Sequence, residues 1–173
     1  MSVSDTEGPW LTDEQQSVWR VFLAVQSLLP VALDAQLSRE AGLSHSSYIV
    51  LALLSEAPER SLRMSQLALA VTMSPSRVSH AVARLEERGL VRRQRASDDG
   101  RGNRAILTDQ GMEELVAAAP GHSAEVKDLV FGGLSPGQLS ELGDVLSVME
   151  SRLRTRQANR VAPGRSGGNR RVT

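Results

Sequence analysis

The stretch that decides the fold is LRMSQLALAVTMSPSRVSHAVARLEERGLVRR, residues 62–93. A short helix fits Ser65–Val71, and a tight turn follows it. Ser74 and Pro75 are a strong start signal for a second helix, with serine at the cap and proline in the first turn. Gly89 is a suitable stop for that second helix. Two helices joined in this way predict a helix-turn-helix.

A β-hairpin is predicted directly after this pair of helices. The hydrophobic period changes, and Leu90–Arg95 and Arg104–Leu107 are typical of two short strands. The connection Ala96–Asn103 has eight residues, more than the two to five that most hairpins use. A helix-turn-helix followed by a hairpin is a winged helix-turn-helix, so the predicted fold class is mainly α with a small β-hairpin.

The second helix is predicted to read DNA. At 100° per residue, Val78, Val82 and Leu85 face inward. The outward face carries Ser76, Arg77, His80, Ala83, Arg84 and Glu87. Its small residues allow close approach to base edges, and arginine reads guanine well in the major groove.

The starts of both helices are a second candidate feature. Ser65 and Ser74 begin them, where free N–H groups favour a phosphate. Ordinary capping explains each serine equally well, and a solvated charged face is the alternative for the outward side chains. The combination of Arg77, His80 and Arg84 beside a basic hairpin favours DNA.

The hairpin loop offers a further contact. Arg101 lies at a protruding tip, and arginine at such a tip suits a narrow minor groove. Asp99 can hold Arg101 by a charge-assisted hydrogen bond, although a solvated turn with an Asp–Arg pair explains the loop taken alone. The predicted DNA-binding residues are therefore Ser65, Ser74, Pro75, Ser76, Arg77, His80, Arg84, Asp99 and Arg101.

The charge distribution supports a nucleic-acid partner despite a formal net charge of zero. Residues 62–104 contain nine arginines and four acidic residues, and residues 152–173 contain seven arginines and no acidic residue. A locally basic segment is compatible with binding DNA even in a neutral chain. The length of 173 residues and the apolar share of 40% predict one domain with a real core.

Several classes of function are excluded or disfavoured. The absence of cysteine excludes disulfides, thiol chemistry and cysteine-based peroxide sensing. His45, His80 and His122 form no metal-ligand motif, although a site built in a dimer with Glu40 stays open. No catalytic constellation, cofactor motif or secretory signal is found, and the longest apolar stretches, such as Ile49–Leu54, are too short to cross a membrane. We expect a cytoplasmic, non-enzymatic protein without a membrane partner.

Helices are also predicted on the N-terminal side of the centre. Thr12 and Gln15 form a capping-box start for a long helix that ends at Gly42. Pro30 is expected to kink or break that helix. Ser44 can cap the next helix, which ends before a proline.

On the C-terminal side, Thr108 opens a helix toward Phe131, expected to be disturbed at Pro120. Ser135 and Gln138 open the last helix.

Three stretches of this sequence resemble the MarR family of winged-helix transcription regulators. Residues 43–111 carry the resemblance, in LSHSSYIVLALLSEAP, in the central stretch quoted above, and in the wing DDGRGNRAILTDQG. The combination of S-x-S-R-V-S, R-L-E-x-R-G-L-V-x-R, D-x-R and L-T-x-x-G is specific. The resemblance implies a homodimer with intertwined terminal helices, the recognition helix Ser74–Arg88, and Arg101 as the wing arginine.

This layout divides the chain into three predicted parts. Residues 1–11 are a flexible N-terminus, and residues 12–156 form the winged-helix domain. Within that domain, the DNA-binding core covers residues 44–107, and the dimerisation helices cover residues 12–41 and 108–156. Residues 157–173 are predicted to be a disordered basic tail.

The resemblance also suggests an effector, because many relatives bind small aromatic or phenolic acids between their dimerisation and DNA-binding parts. Trp19 and Tyr48 could border such a cleft. Core packing explains Tyr48 equally well and Trp19 better.

Three functions follow from these observations. The first is a sequence-specific dimeric regulator, in particular a repressor, on a pseudo-palindromic operator. The alternatives are a non-specific architectural DNA binder and a winged-helix module for protein–protein contact.

Overall fold

The structure, a computed structural model, describes residues 9–71, 73–95 and 102–161. Its helices are α1 (Asp13–Ala41), α2 (His45–Glu56), α3 (Met64–Ala70), α4 (Pro75–Glu87), α5 (Asp109–Val126) and α6 (Pro136–Val161). Its strands are β1 (Ser61–Arg63), β2 (Val91–Arg95) and β3 (Asn103–Leu107). The mainly helical fold with a small sheet is confirmed. The chain divides between Val130 and Phe131 into two compact units.

Helix α1 begins as predicted but is not broken at Pro30. Thr12 accepts a hydrogen bond from the Gln15 N–H, Gln15 returns one to the Thr12 N–H, and Gly42 ends the helix in a left-handed conformation. The expected break at Pro30 is wrong, because α1 runs on for 29 residues. A proline removes a single helical hydrogen bond, and water can replace that bond on the exposed surface where Pro30 lies.

The core of the first unit is built around α2 and α4. Ser44 caps α2, and the last turns of α1 bring Leu37 against it. The fully buried apolar side chains include Leu37, Leu43, Val50, Leu51, Leu54, Leu67, Val78, Val82, Leu85, Leu90 and Val91. Burying this much aliphatic surface is the main stabilising contribution to the fold of the unit.

A three-stranded antiparallel sheet lies beside this core, in the order β1-β3-β2. The two predicted strands of the hairpin are confirmed, and Val91 pairs with Leu107 while Arg95 pairs with Asn103. Strand β1 was not predicted. It has three residues, with Leu62 opposite Ala105, which is too short to show a period of its own.

Helix α5 is likewise continuous where a disturbance was expected. Thr108 caps it, and the helix passes through Pro120 to Val126 before a π-helical turn, Lys127–Phe131. Pro120 therefore does not break α5, for the same reason as at Pro30: one hydrogen bond is lost on an exposed face.

Helix α6 forms most of the described part of the second unit. Its predicted capping box is confirmed, because the Ser135 N–H donates to Gln138 Oε1 and the Gln138 N–H donates to Ser135 Oγ. The predicted start of a disordered tail at residue 157 is wrong, since the helix continues to Val161. Residues 162–173 lie outside the described residues, as do residues 1–8.

Helix α1 is long and apolar enough to cross a membrane by length and composition, with a mean hydropathy of 1.4 over 18 residues. Its last turns, however, contribute Leu33, Gln36 and Leu37 to the buried part of the first unit. A helix that packs into a core passes the same test of length and composition, so this property does not assign α1 to a membrane.

Candidate nucleic-acid interface

Helix α3 is the first helix of the helix-turn-helix, and it starts earlier than predicted. Its cap is Arg63, whose N–H donates to Gln66 Oε1 at 3.1 Å. Ser65 is therefore the second helical residue and not the cap, which corrects the prediction. Ser65 is exposed near the start of the helix.

Helix α4 presents the predicted outward face. Ser74 caps the helix, its Oγ accepting from the Arg77 N–H at 3.4 Å, and Pro75 is the first helical residue. Val78, Val82 and Leu85 are buried, and Ser76, Arg77 and His80 are exposed, as their positions on the helix predict. A short polar surface with one arginine near the helix start is thus available to a ligand.

Arg84 lies at one edge of that surface and has a partner within the chain. Its Nη2 donates to Ser44 Oγ, the cap of α2, at 3.0 Å. Among the predicted base-reading side chains that the structure describes, Arg84 is therefore hydrogen-bonded to the start of another helix.

Arg93 joins the hairpin to α4 and was not singled out from the sequence. Its Nη2 donates to the Ser79 carbonyl at 2.9 Å, and its Nε lies 3.3 Å from Glu86 Oε2. The Arg93 N–H also donates to Glu86 Oε1 at 3.1 Å. These contacts fix the start of the wing against α4. The only sequence signal for them is the opposite charge on either side of Gly89.

The wing itself is basic. Arg104 on the central strand β3 donates through Nε to Ser61 Oγ at 2.9 Å, which joins β3 to the edge strand β1. Arg92 and Arg95 on β2 are exposed. The tip of the wing, with the predicted Asp99 and Arg101, lies outside the described residues.

Arg88 connects the end of α4 to α1 and α5, a link that the sequence did not indicate. Its Nη1 donates to the Gly42 carbonyl at 2.8 Å, and its Nη2 donates to Glu114 Oε1 at 2.7 Å. The partners are 46 and 26 residues away in sequence. Helix α4 is therefore held at its C-terminal end by contacts with the end of α1 and with α5.

The two predicted effector residues lie in different surroundings. Trp19 is 47% exposed and stacks on Phe22 at 5.8 Å, so it is not part of the core of the single chain. Tyr48 is half-buried, packs against the core, and lies 4.3 Å from the His122 ring. His45 lies 5.7 Å from the same ring.

Burial changes the proton affinities of this aromatic cluster. It lowers the pKa of His122 below the usual 6.5 and raises the pKa of Tyr48 above 10.0. The pKa of His45 is also lowered, first by burial and then by the neighbouring His122, while Asp34 acts in the opposite direction. Neutral imidazoles are therefore favoured at the junction of α2 and α5. Within the described ranges, no group of three or more His, Asp or Glu side chains could hold a metal ion.

A helix-turn-helix with a sheet packed on its second helix defines a winged helix-turn-helix protein. The family model of the MarR family matches residues 41–102. Sco3205, a MarR family transcriptional regulator from Streptomyces coelicolor solved in complex with DNA, is 46% identical, with a TM-score of 0.80 over 86% of this chain and 93% of that chain.

Two further solved structures are similar. AbsC, a MarR family transcriptional regulator from the same organism, is 39% identical, with a TM-score of 0.77 over 86% of this chain and 99% of AbsC. CouR from Rhodococcus jostii RHA1, solved bound to p-coumaroyl-CoA, is 25% identical, with a TM-score of 0.66 over 82% of this chain and 95% of CouR. The chain belongs to the MarR family of transcriptional regulators.

Proposed function

We propose that this protein is a dimeric, sequence-specific DNA-binding repressor that reads a pseudo-palindromic operator. Residues 74–88 enter the major groove, and Arg101 of the wing reaches the minor groove. The half-sites lie roughly 10 bp apart on centres, one helical turn of DNA. The complex of Sco3205 with DNA supports the choice of partner.

The observation that carries this proposal is the exposed face of α4. Ser76, Arg77 and His80 are exposed on one side of a helix whose opposite side is buried. Short side chains beside an arginine suit the major groove, where arginine makes bidentate hydrogen bonds to guanine. A protein-binding face would need apolar anchors at this place, and these three side chains are polar.

We propose that the wing adds a second contact. Arg93 holds β2 to Glu86 and to the Ser79 carbonyl, so the base of the wing moves with α4. A hairpin fixed in this way can place a tip arginine at one point on the duplex, and narrow minor grooves attract arginine most strongly. We therefore retain Arg101 as the minor-groove residue and Asp99 as its partner.

Dimerisation is proposed from the apolar faces of the terminal helices. On α1, Val18, Val21, Val25 and Leu28 are 51–69% exposed, and they recur at helical spacing. On α6, Val145, Val148 and Leu153 are 53–65% exposed. Exposed stripes of this extent need a covering surface, and a second copy of the chain supplies the same stripes.

The proposed effector is a small aromatic or phenolic compound near Tyr48. The structure of CouR with p-coumaroyl-CoA supports this ligand class for one relative. Tyr48, His45 and His122 form an aromatic cluster of partly buried rings beside the core. Trp19 remains a candidate only if dimerisation brings it to such a cluster, because in the single chain it contacts Phe22.

Selection of duplexes from a random pool tests the proposal. The selected and random duplexes are then titrated at several salt concentrations. We expect the selected sequence to bind about 10³-fold or more tightly than random DNA, and two chains to bind each duplex. Equal, steeply salt-dependent binding to all duplexes indicates an architectural DNA binder, and no binding indicates a protein-interaction module. Either result contradicts the proposal.

A further inference from the structure

The C-terminal end of α4 carries an arginine whose two terminal nitrogens are both engaged within the chain. Arg88, the C-cap of α4, donates from Nη1 to the Gly42 carbonyl at 2.8 Å and from Nη2 to Glu114 Oε1 at 2.7 Å. Gly42 ends α1, and Glu114 lies in the second turn of α5. An arginine beside a DNA-reading helix is ordinarily a candidate for a phosphate contact. Because both terminal nitrogens have partners inside the protein, Arg88 is better suited to hold α4 than to bind DNA.

Thr108, the cap of α5, fixes the two residues that follow Arg88. Its Oγ1 donates to the Gly89 carbonyl at 2.8 Å, and its N–H donates to the Leu90 carbonyl at 3.1 Å. Gly111 allows this close approach, because a Cβ there would collide with the Leu90 carbonyl oxygen. The backbone that follows α4 is thus held against the first turn of α5, and Arg88 adds the connection to α1.

The ion pair of Arg88 and Glu114 can be removed without opening the core. Its two side chains are 38% and 34% exposed, and ion pairs near the surface contribute little to stability because water screens them. The apolar side chains on either side of Arg88 in sequence, Leu85 and Leu90, are buried and stabilise the end of α4 independently. Loss of the pair is therefore expected to leave the chain folded and to remove one constraint on the direction of α4.

Helix α1, to which Arg88 ties α4, also carries an apolar face proposed as a dimer contact. Val18, Val25 and Leu28 on that face are 51–69% exposed, and Gly42 ends the same continuous helix. The direction of α4 relative to α1 therefore determines where α4 of one copy lies relative to α4 of a second copy. In a symmetric dimer, this separation fixes the spacing of the two half-sites that can be contacted at once.

We propose that Arg88 is a positioning residue that sets the half-site spacing accepted by the protein, an inference that rests on the proposed dimeric, sequence-specific DNA binding. Arg77, near the exposed start of α4, reads bases within each half-site, whereas Arg88 holds the opposite end of the helix. A spacing changed by one base pair displaces a half-site by about 3.4 Å and rotates it by roughly 35° about the duplex axis. A loosely held α4 can follow such a displacement, and a fixed α4 cannot.

Duplexes that keep both selected half-sites but differ in the length of the spacer test this assignment. Fluorescence anisotropy measures the affinity for each duplex at constant salt. The wild-type protein should bind the selected spacing about tenfold more tightly than a spacing changed by one base pair, within the usual range of coupling between two sites. In Arg88→Gln this ratio should fall to about threefold or less. An unchanged ratio in folded Arg88→Gln overturns the inference, as does a wild-type protein that binds all spacings equally.

Glu114→Gln and Glu113→Gln are a matched pair of variants on α5. Glu114→Gln removes the charge that holds Arg88, so it should lower the spacing ratio in the same direction as Arg88→Gln. Glu113→Gln removes the same charge from an exposed neighbouring position and should keep the wild-type ratio. The ratio cancels the general gain in DNA affinity that follows the loss of any acidic side chain. Equal ratios in Glu114→Gln and Glu113→Gln contradict the assignment.

Arg88→Lys separates positioning from a phosphate contact, because lysine keeps the charge and loses the planar fork that holds two acceptors. This variant should lose spacing discrimination nearly as Arg88→Gln does, while base discrimination and salt dependence stay as in wild type. If Arg88 instead contacts phosphate, Arg88→Lys should keep the wild-type spacing ratio. Arg88→Gln should then weaken binding to all duplexes alike and reduce the slope of the salt dependence by about one. That pair of results overturns the inference.

Amide hydrogen exchange measures the hold on α4 without DNA, and thermal unfolding verifies that each variant folds. Amides of residues 84–88 should exchange faster in Arg88→Gln than in wild type, while those of the buried Leu51 and Leu54 should stay protected. Unchanged exchange at residues 84–88 shows that Arg88 does not hold α4 and overturns the inference. If the wild-type protein selects no duplex, the proposed function fails and the spacing assignment fails with it, even where faster exchange shows that Arg88 holds α4.

Discussion

The winged part of the chain, from α2 to β3, buries a core of large apolar side chains, whereas the terminal helices α1 and α6 expose many of theirs. Between α2 and β3, Leu51, Leu67 and Leu85 are 0–1% exposed, and a single chain closes this core completely. Before the last turns of α1, Val25 and Leu28 are 51% and 69% exposed. Five large apolar residues of α6 are also exposed: Leu139, Val145, Leu146, Val148 and Leu153.

This difference separates two sources of stability. A core that is closed within one chain stabilises the fold at any protein concentration. Apolar faces that need a second copy stabilise it only by mass action, so that contribution depends on concentration. The winged part is thus expected to be stable by itself and the terminal helices to depend on association.

The largest expected effect comes from opening the closed core. Leu54 is fully buried, and Leu54→Ala should lower the free energy of unfolding by about 2–5 kcal/mol. Chemical denaturation at low and high protein concentration should give the same loss. The matched variant is Leu146→Ala on α6, where Leu146 is 46% exposed, and its loss should grow with concentration. If Leu54→Ala and Leu146→Ala lose equal free energy of unfolding at every protein concentration, the winged part and the terminal helices do not differ in their source of stability.

The next effect comes from placing a charge on the apolar face of α1. Val25→Glu introduces a carboxylate that a second copy would have to bury, so the dimer should dissociate. Loss of the second recognition helix should then weaken DNA binding roughly 100-fold or more. Sedimentation velocity measures the mass, and anisotropy measures the affinity.

Gln16→Glu is the control for this charge, because Gln16 lies on the opposite side of α1 and gains the same charge. This variant should remain a dimer. A Val25→Glu protein that stays dimeric would show that another surface joins the copies, and wild-type protein that is monomeric but binds lipid vesicles would assign the apolar face of α1 to a membrane.

Local signals in the sequence were sufficient to predict most of the helices and strands. Thr12 with Gln15, and Ser135 with Gln138, place the starts of α1 and α6, since capping depends on residues three positions apart. Neither Pro30 nor Pro120 breaks its helix, because helix propensity describes an isolated helix. Pro30 lies in a helix whose later turns are held by tertiary packing.

Helix periodicity was sufficient to predict one part of the candidate site. The exposed face of α4 follows from that periodicity, and Ser76, Arg77 and His80 are exposed as expected. The bonds from Arg84 to Ser44 and from Arg88 to Glu114 join residues 40 and 26 positions apart. No local pattern encodes such contacts, so the links between α4 and the other helices required the structure.

The smallest expected effect is a pH dependence at the junction of the two regions. Burial lowers the pKa of His122, so the unfolded chain binds a proton more readily than the folded one. The stability that neutral His122 contributes is therefore present above the unfolded pKa of about 6.5, and it is lost as the pH falls toward the lower folded pKa. His122→Gln should reduce the loss of melting temperature between about pH 7.5 and about pH 5.5.

Ser123→Gln changes an exposed neighbour on α5 and controls for the introduction of glutamine. The account of this cluster is contradicted if the melting temperatures of His122→Gln and Ser123→Gln fall by the same amount over this pH interval.

The central claim is that the exposed face of α4 reads base sequence, and Arg77→Ala tests it most directly. Its affinity is measured on the selected duplex and on a panel with every single base changed, with Arg39→Ala on α1 as the control. We predict a loss of about 1–3 kcal/mol on the selected duplex and lost discrimination at one base position in each half-site. Equal weakening on every duplex, with discrimination unchanged, would show that Arg77 contacts only phosphate and would contradict the claim.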